Sequence, residues 1–266
     1  MELHRTPAAR HLAAKMARLS AAASSAGEKM EGTAYQLQLA QLAEHRRMLK
    51  AIQSVEAKIR LKAKLLPIYD PWVDGVLAAG QGAQDMVLTT VMVWHIDAGN
   101  YARAWQIAQY VLKHNLDMPD QYERNLPTIL QEEFADAYLA GKMPAEAATA
   151  DLLTQVLEAT QARDTFDQVK AKLCKAVAFA LLGKVTPSAD VDYTQLGVET
   201  CAAALEHLKR ALSLFEQVGV KKDIERLDRY LKKLTTIPTD TAPATAPDTP
   251  PAPAQADNAA PTSGSA

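Results

Sequence analysis

Basic side chains at helical spacing are the first feature of this sequence that could do chemistry. Arg46, Arg47 and Lys50 lie within about one helical turn of each other, and Lys58 and Lys62 repeat that spacing. Lysines and arginines grouped in this way neutralise the phosphates of a polyanion. About five such contacts would give a slope of roughly −4.5 for log K against log salt concentration.

A second set of basic residues lies nearer the amino terminus. Arg10, Lys15 and Arg18 recur at nearly helical intervals in an alanine-rich segment. A helix-turn-helix over residues 6–45 is compatible with this pattern, although the connection at residues 25–32 is longer than the usual tight turn. The predicted DNA-binding residues are Arg10, Lys15, Arg18, Arg46, Arg47, Lys50, Lys58 and Lys62.

Four aspartates form the other group with catalytic potential. Metal-dependent nucleases need two or more carboxylates that converge on magnesium, and Asp70, Asp74, Asp85 and Asp97 lie close together in the sequence. Asp85 and Asp97 are the catalytic candidates under this hypothesis, and only this hypothesis requires Mg²⁺. The alternative is that each aspartate caps a helix or stands in a turn, a role that suits Asp85 and Asp97.

Familiar nuclease and metal-binding motifs are missing from the sequence. There is no His-Asn-His string, and Glu56-Ala57-Lys58 has no Pro-Asp pair before it. The only two cysteines, Cys174 and Cys201, suggest neither a zinc site nor a disulfide framework. We therefore predict no cofactor, apart from magnesium if the nuclease hypothesis holds.

Charge is distributed unevenly along the chain. Residues 1–64 hold 12 Lys or Arg against 5 Asp or Glu, whereas residues 65–266 hold 17 against 26. This polarity predicts a basic end that contacts an anion and an acidic body that could dock a partner. A helix of solvated lysines would give the same count.

Composition favours helices over sheets. Hydrophobic residues make up 48% of the chain, but only 6% are aromatic and only 11 residues are glycine. We predict an all-α protein with a basic helical region at 1–64, a bundle of helical hairpins at 65–235 and a disordered tail at 236–266. The last 31 residues contain 7 of the 14 prolines and no Lys or Arg. No apolar run is long enough to span a membrane and no secretory pattern is present, so we expect a soluble intracellular protein.

The amino-terminal region has two predicted helices. Thr6 can cap the first, with Pro7 at its first position, and the second runs from residue 33 to about residue 64. The second helix carries a partial heptad seam of Tyr35, Gln38, Leu42, His45, Leu49, Ile52, Glu56 and Ile59. This seam could pair with another subunit as a coiled coil or lie on its own domain, and the sequence leaves both open.

Prolines and glycines divide the remainder of the chain. Pro67 and Pro71 predict a turn, and the run MVLTTVMVW at residues 86–94 predicts a buried helix more readily than a strand, because its neighbours are helical. Further helices are predicted at 101–114, 128–140, 144–160, 166–182, 204–215 and 222–234.

A long string of residues in the middle of the chain resembles one known family. It comprises Leu65-Leu66-Pro67, Trp72-Val73, Gly80, Gly82, Gln84-Asp85, Val91-Met92, Trp94, Asp97, Gly99, Ile107-Ala108 and Tyr110, followed by Met118-Pro119, Glu132-Glu133 and Gly219-Val220-Lys221-Lys222. The string is similar to that of small terminase subunits from peduovirus-type, cohesive-end tailed bacteriophages, and the similarity extends over about residues 10–234.

The resemblance implies a subunit that recognises the cohesive-end site of double-stranded phage DNA. It also implies docking of the large, ATP-hydrolysing terminase subunit in the cytoplasm of the infected bacterium, which starts genome packaging. We expect a DNA-binding homo-oligomer without membrane contact. Because family members are described as the endonuclease subunit, a metal-dependent endonuclease that cleaves the cohesive ends is the first alternative, and a scaffolding adaptor without DNA contact is the second.

Overall fold

The computed structural model describes residues 6–119, 122–186 and 188–235, and these residues form an all-α fold, as predicted. The α-helices of this part of the chain are α1 Pro7–Ala22, α2 Thr33–Ala51, α3 Val55–Ala79, α4 Met86–Asp97, α5 Tyr101–His114, α6 Leu126–Leu139, α7 Ala147–Thr160, α8 Asp167–Leu181, α9 Val198–Leu214 and α10 Lys221–Thr235. No helix among them is both long and apolar enough to cross a membrane. The predicted disordered tail at 236–266 lies outside the described residues.

Helix α1 begins as its sequence predicts. The Thr6 hydroxyl accepts a hydrogen bond from the Ala9 amide at 3.2 Å, and proline occupies the first turn. The helix packs mainly against α3. A Cβ atom on Gly75 of α3 would lie only 2.3 Å from the Ala14 carbonyl oxygen, so glycine is needed where the two helices approach each other.

The prediction of one continuous helix over residues 33–64 is wrong. Residues 52–54 are not helical, and the Ser54 hydroxyl caps a new helix by accepting from the Ala57 amide at 3.3 Å. A side-chain oxygen at this position satisfies an amide that would otherwise lack a partner, so serine makes a helix start possible without any glycine or proline. Four residues of the proposed heptad seam, Tyr35, Leu42, His45 and Leu49, are buried in this chain's own fold.

The prediction of a turn at Pro67 and Pro71 is also wrong, because α3 continues through both prolines. Each proline removes one backbone hydrogen bond, at a cost of about 3 kcal/mol in a helix interior. Tyr69, Trp72 and Val73 are buried around them, and burial of such side chains contributes roughly 1.5–3 kcal/mol each. Helix α3 therefore spans the predicted boundary between residues 64 and 65.

Two helices organise the core. Helix α3 packs against α1 and α4 in the amino-terminal half, and α8 packs against α6, α7 and α9 in the other half. The run at residues 86–94 is helical, as predicted, and lies within α4, which is buried from Val87 to Ile96. The two halves meet where the Trp105 indole nitrogen donates to the Gln155 side-chain oxygen at 2.9 Å, and one hydrophobic cluster extends through both.

Candidate nucleic-acid interface

A basic groove lies between α2 and α3. Its volume is about 490 Å³, and the residues that line it are Ala43, Arg46, Arg47, Leu49, Lys50, Lys58, Lys62, Trp94 and Tyr122. We call this surface the basic groove. It brings together five of the eight basic residues that the sequence proposes for DNA binding, from two helices that the sequence joins into one.

A row of buried rings holds the helices beneath the basic groove. His45 of α2 and Tyr69 of α3 share a hydrogen bond of 2.7 Å between the ring Nδ1 and the phenol oxygen. The Tyr69 ring packs edge-on against Trp94 of α4, with ring centroids 5.9 Å apart. Burial lowers the pKa of His45 and raises the pKa of Tyr69, so both side chains are neutral near pH 7. The row therefore fixes three helices without adding charge.

Most of the cations in the basic groove are accessible. Arg46 and Lys50 are exposed, and within the described part of the chain neither they nor Lys58 form an ion pair. Arg47 pairs with Glu44 on the exposed surface of α2, and such a pair is worth little in water. Lys62 pairs with Asp97 at the edge of the groove. The groove thus keeps a surplus of positive charge facing solvent.

The three remaining basic candidates lie elsewhere. Arg10, Lys15 and Arg18 are exposed on α1, which packs against Gly75 of α3. Gly75 is 13 residues beyond Lys62, or about 20 Å along a helix. Arg10 instead lines a second cavity, and a helix-turn-helix is not formed, because α1 packs chiefly on α3 and ten residues separate it from α2.

Asp85 is buried in the core. Its side chain has no exposed surface and accepts hydrogen bonds from the amides of Val87 at 2.8 Å and Leu88 at 3.1 Å. Its other oxygen accepts from the Trp72 indole nitrogen at 2.8 Å. Burial raises the pKa of Asp85 to about 6, although these three donors oppose the rise. This is the geometry of a helix cap that also anchors α3 to α4.

Asp97 is the last residue of α4 and lies between the basic groove and a neighbouring cavity that contains Glu133. Its carboxylate accepts from the Lys62 ammonium group. Within the described residues, no three His, Cys, Asp or Glu side chains are placed to hold a metal ion together. Catalysis by Asp85 and Asp97 stays a prediction, and the structure gives both residues other hydrogen-bonding roles.

A cavity larger than the basic groove was not foreseen from the sequence. It has a volume of about 720 Å³ and lies where α1, α3, α4, α5 and α7 meet. Asp70, Asp74 and Arg103 line it, together with His95, whose Nε2 atom has no hydrogen-bond partner. Burial lowers the pKa of His95 to about 4. The sequence analysis grouped Asp70 and Asp74 with Asp85 and Asp97 as possible metal ligands, but it did not connect them with Arg103 or His95.

Several residues of the string that resembles the known family hold the fold together. Gly82 has a positive φ of 72°, and a Cβ atom there would lie 2.3 Å from a ring nitrogen of His114. The Gln84 side chain makes two hydrogen bonds of 2.8 Å to the backbone of Asp117. With Asp85 as the cap of α4, these residues lock the link between α3 and α4 onto the end of α5.

Comparison with known proteins agrees with the resemblance carried by this string. The model of the family described as phage small terminase subunit matches residues 39–168. The "Terminase, endonuclease subunit" of Escherichia phage P2 is 42% identical over 230 residues, which cover 85% of this chain and 86% of that protein. The chain belongs to the phage small terminase subunit family.

A second relative is more distant. The "Probable terminase, endonuclease subunit" of Haemophilus phage HP1 (strain HP1c1) is 28% identical over 178 residues, 64% of this chain and 60% of that protein. No solved structure matches significantly. The stretch matched by the family model contains the whole basic groove and the Asp85 cap, whereas α1 lies outside it.

Proposed function

We propose that this small terminase subunit binds double-stranded phage DNA through the basic groove and brings the cohesive-end site to the large ATPase subunit. The observation that carries the proposal is the convergence of Arg46, Arg47, Lys50, Lys58 and Lys62 from two helices on one accessible surface. The setting would be the cytoplasm of the infected bacterium, where packaging starts.

The groove's charges suit the DNA backbone more than the base edges. Lysine and arginine contacts to phosphates position a duplex and give a strong salt dependence, but they do not read sequence. The five cations would give a slope near −4.5 if each neutralised one phosphate. Homo-oligomerisation would multiply these contacts, because linked sites bind one duplex at a high effective concentration.

A triple substitution tests the groove. Arg46→Ala, Arg47→Ala and Lys50→Ala together should weaken binding of a cohesive-end duplex by at least about tenfold and reduce the salt slope to about −2. Fluorescence anisotropy across a salt series measures both quantities. The matched control is Lys113→Ala, Arg163→Ala and Lys222→Ala, which removes three exposed cations outside the groove.

Unchanged affinity in the groove variant would overturn DNA binding at this surface. If gel shifts show no binding of cohesive-end DNA by either the wild type or the variant, the scaffolding adaptor becomes the better hypothesis.

Recruitment of the large subunit has a separate readout. The purified ATPase subunit should co-elute with the wild type, and also with the groove variant, if docking uses another surface.

The names of both relatives favour endonuclease activity as a second candidate function. Incubation of the pure chain with cohesive-end DNA and magnesium tests it directly. Because Asp85→Ala removes a buried cap, loss of cleavage in that variant could reflect unfolding. Asp97→Asn is the sharper probe, since Asp97 lies at the edge of the basic groove and is about one-third exposed.

A further inference from the structure

The turn between α2 and α3 lies at one end of the basic groove. It comprises residues 52–54, and we call it the α2–α3 turn. Lys50 is two residues before the turn and Lys58 is four residues after it, which corresponds to about 3 Å and 6 Å along the two helix axes. Both lysines line the groove. A phosphate backbone that both lysines neutralise therefore passes beside the α2–α3 turn.

The charge around the α2–α3 turn favours a polyanion. Residues 44–62 contain six Lys or Arg and only two carboxylates, Glu44 and Glu56. Each carboxylate pairs with an arginine of its own helix, Arg47 or Arg60, and none of the described residues that line the groove is acidic. A two-fold contact between the turns of two copies would set like charges against each other. DNA is therefore the occupant that this surface favours.

The α2–α3 turn itself carries no charged side chain. Ile52 and Ser54 have extended backbone, with ψ angles of 133° and 123°, and successive side chains of an extended segment point to opposite sides. Ile52 is partly buried, whereas Gln53 is exposed and makes no hydrogen bond within the described residues. The Ser54 hydroxyl is already used to cap α3. The amide of Gln53 is therefore free to bind a ligand.

The first residue of α3 adds an apolar side chain next to the turn. Val55 is 71% exposed, the largest exposed fraction among the large apolar side chains of the described part of the chain. Only one residue separates it from Gln53. Uncharged polar and apolar side chains with cations on both sides are suited to reading DNA, because the cations position the duplex while neutral groups contact the base edges.

We propose that Gln53 and Val55 read base edges in the major groove of the DNA that the basic groove holds. The Gln53 amide accepts a hydrogen bond from N6 of an adenine and donates one to N7, a pattern that only adenine presents in the major groove. Val55 packs against the methyl group of a thymine. The inference rests on the proposed function and supplies the sequence readout that phosphate contacts lack.

A double substitution tests the readout by fluorescence anisotropy. Gln53→Ala with Val55→Ala should weaken binding of the cohesive-end duplex by at least about tenfold, but a scrambled duplex of equal length and base composition should bind as it does to the wild type. The salt slope should stay near −4.5, because no cation is removed. Both side chains are exposed, so the fold should persist. The matched control is Gln36→Ala with Leu37→Ala, an exposed pair about 22 Å from the turn along α2, which should change neither affinity.

Modified bases identify the atoms that the two side chains contact. Replacement of adenine by 7-deazaadenine removes the N7 acceptor, and the wild type should bind that duplex about fivefold more weakly. Replacement of thymine by uracil removes the methyl group and should weaken binding about threefold. Gln53→Ala should be insensitive to the first replacement and Val55→Ala to the second. A wild type that is insensitive to both replacements overturns the proposal.

Failure of the readout and failure of DNA binding are separable. If the double variant binds both duplexes equally weakly, the turn contacts only the DNA backbone, and if it binds both as the wild type does, the turn does not touch DNA. Either result overturns the readout.

A wild type that binds the cohesive-end and scrambled duplexes equally also overturns the readout, but it leaves backbone binding by the basic groove intact. The proposed function fails separately if the groove triple variant keeps wild-type affinity. If the double variant no longer co-elutes with the purified ATPase subunit but keeps its preference for the cohesive-end duplex, the turn is a protein contact and the readout is overturned.

Discussion

The surroundings of Asp85 and the basic groove lie in the same half of the molecule and differ in almost every physical respect. Asp85 has no exposed surface, and its two oxygens accept three hydrogen bonds. In the groove, Arg46 and Lys50 face solvent without an ion-pair partner among the described residues. The first region is buried and tightly packed, whereas the second presents exposed charge above a packed base.

This difference explains why the family is easy to recognise while its activity is difficult to locate. Gly82, Gln84 and Asp85 each satisfy a geometric requirement that few other residues meet. Exposed lysines and arginines meet a looser requirement, because a phosphate can be neutralised from several positions. Substitutions in the two regions should therefore separate stability from binding.

Removal of the Asp85 carboxylate should have the largest effect. Asp85→Ala leaves the Trp72 indole and two amides of α4 without their acceptor, and each buried unsatisfied group costs about 1–3 kcal/mol. We expect a loss of roughly 3–5 kcal/mol, measured by urea unfolding. The fraction that stays folded should bind DNA normally. A loss below 1 kcal/mol would show that the cap is dispensable.

The pH dependence of stability should be next in size. The folded pKa of Asp85, about 6, lies above its ordinary value of 3.8, so its contribution favours folding at low pH and is lost as pH rises from about 4 to 6. The folded pKa of His95, about 4, lies below 6.5, so its contribution is lost as pH falls from about 6.5 to 4. Each effect is on the order of 2–3 kcal/mol, and they oppose each other.

Single variants should expose the two opposing contributions. Relative to wild type, Asp85→Asn should lose stability more steeply as pH falls from 6.5 to 4, because the opposing contribution of Asp85 is removed while that of His95 remains. His95→Gln should gain stability over the same interval. Urea unfolding at a series of pH values gives both difference curves, and parallel curves for the two variants would refute the assignment.

Gly80 and Gly82 allow a comparison between an open and a crowded backbone position. Gly82→Ala and Gly80→Ala both place a side chain at positive φ, but only at Gly82 would the new Cβ meet the His114 ring. The backbone cost is about 1–2 kcal/mol in each case. We expect Gly82→Ala to lose roughly 1–2 kcal/mol more than Gly80→Ala in thermal unfolding. Equal losses would show that His114 moves freely.

The smallest effect should come from Asp97, which pairs with Lys62 at the edge of the basic groove. Asp97→Asn removes the partner of Lys62 and leaves the lysine free to contact a phosphate. Stability should fall by less than about 1 kcal/mol, while DNA affinity at low salt should rise a few-fold. Anisotropy titrations of this variant against Lys62→Ala, which should bind more weakly, provide the comparison. Tighter binding by both variants would contradict a role for Lys62.

Sequence reasoning predicted the helical class, the capped start of α1 and the helical state of residues 86–94 because local rules decide them. It failed at residues 52–54 and at Pro67 and Pro71, where tertiary packing outweighs local propensity. The five cations of the basic groove were proposed from charge spacing. The separation of Arg10 from Lys62 could not be predicted, because it depends on how α1 lies against Gly75.

The continuity of α3 through its prolines has a mechanical consequence. Helix α3 has 25 residues and is about 37 Å long. It carries Lys58 and Lys62 near one end and the contact with α1 near the other. A displacement of α1 would therefore be transmitted along one continuous helix, because no loop interrupts α3 between these two sites. Under the proposed function, the position of α1 would therefore be coupled to the direction in which DNA reaches Lys58 and Lys62.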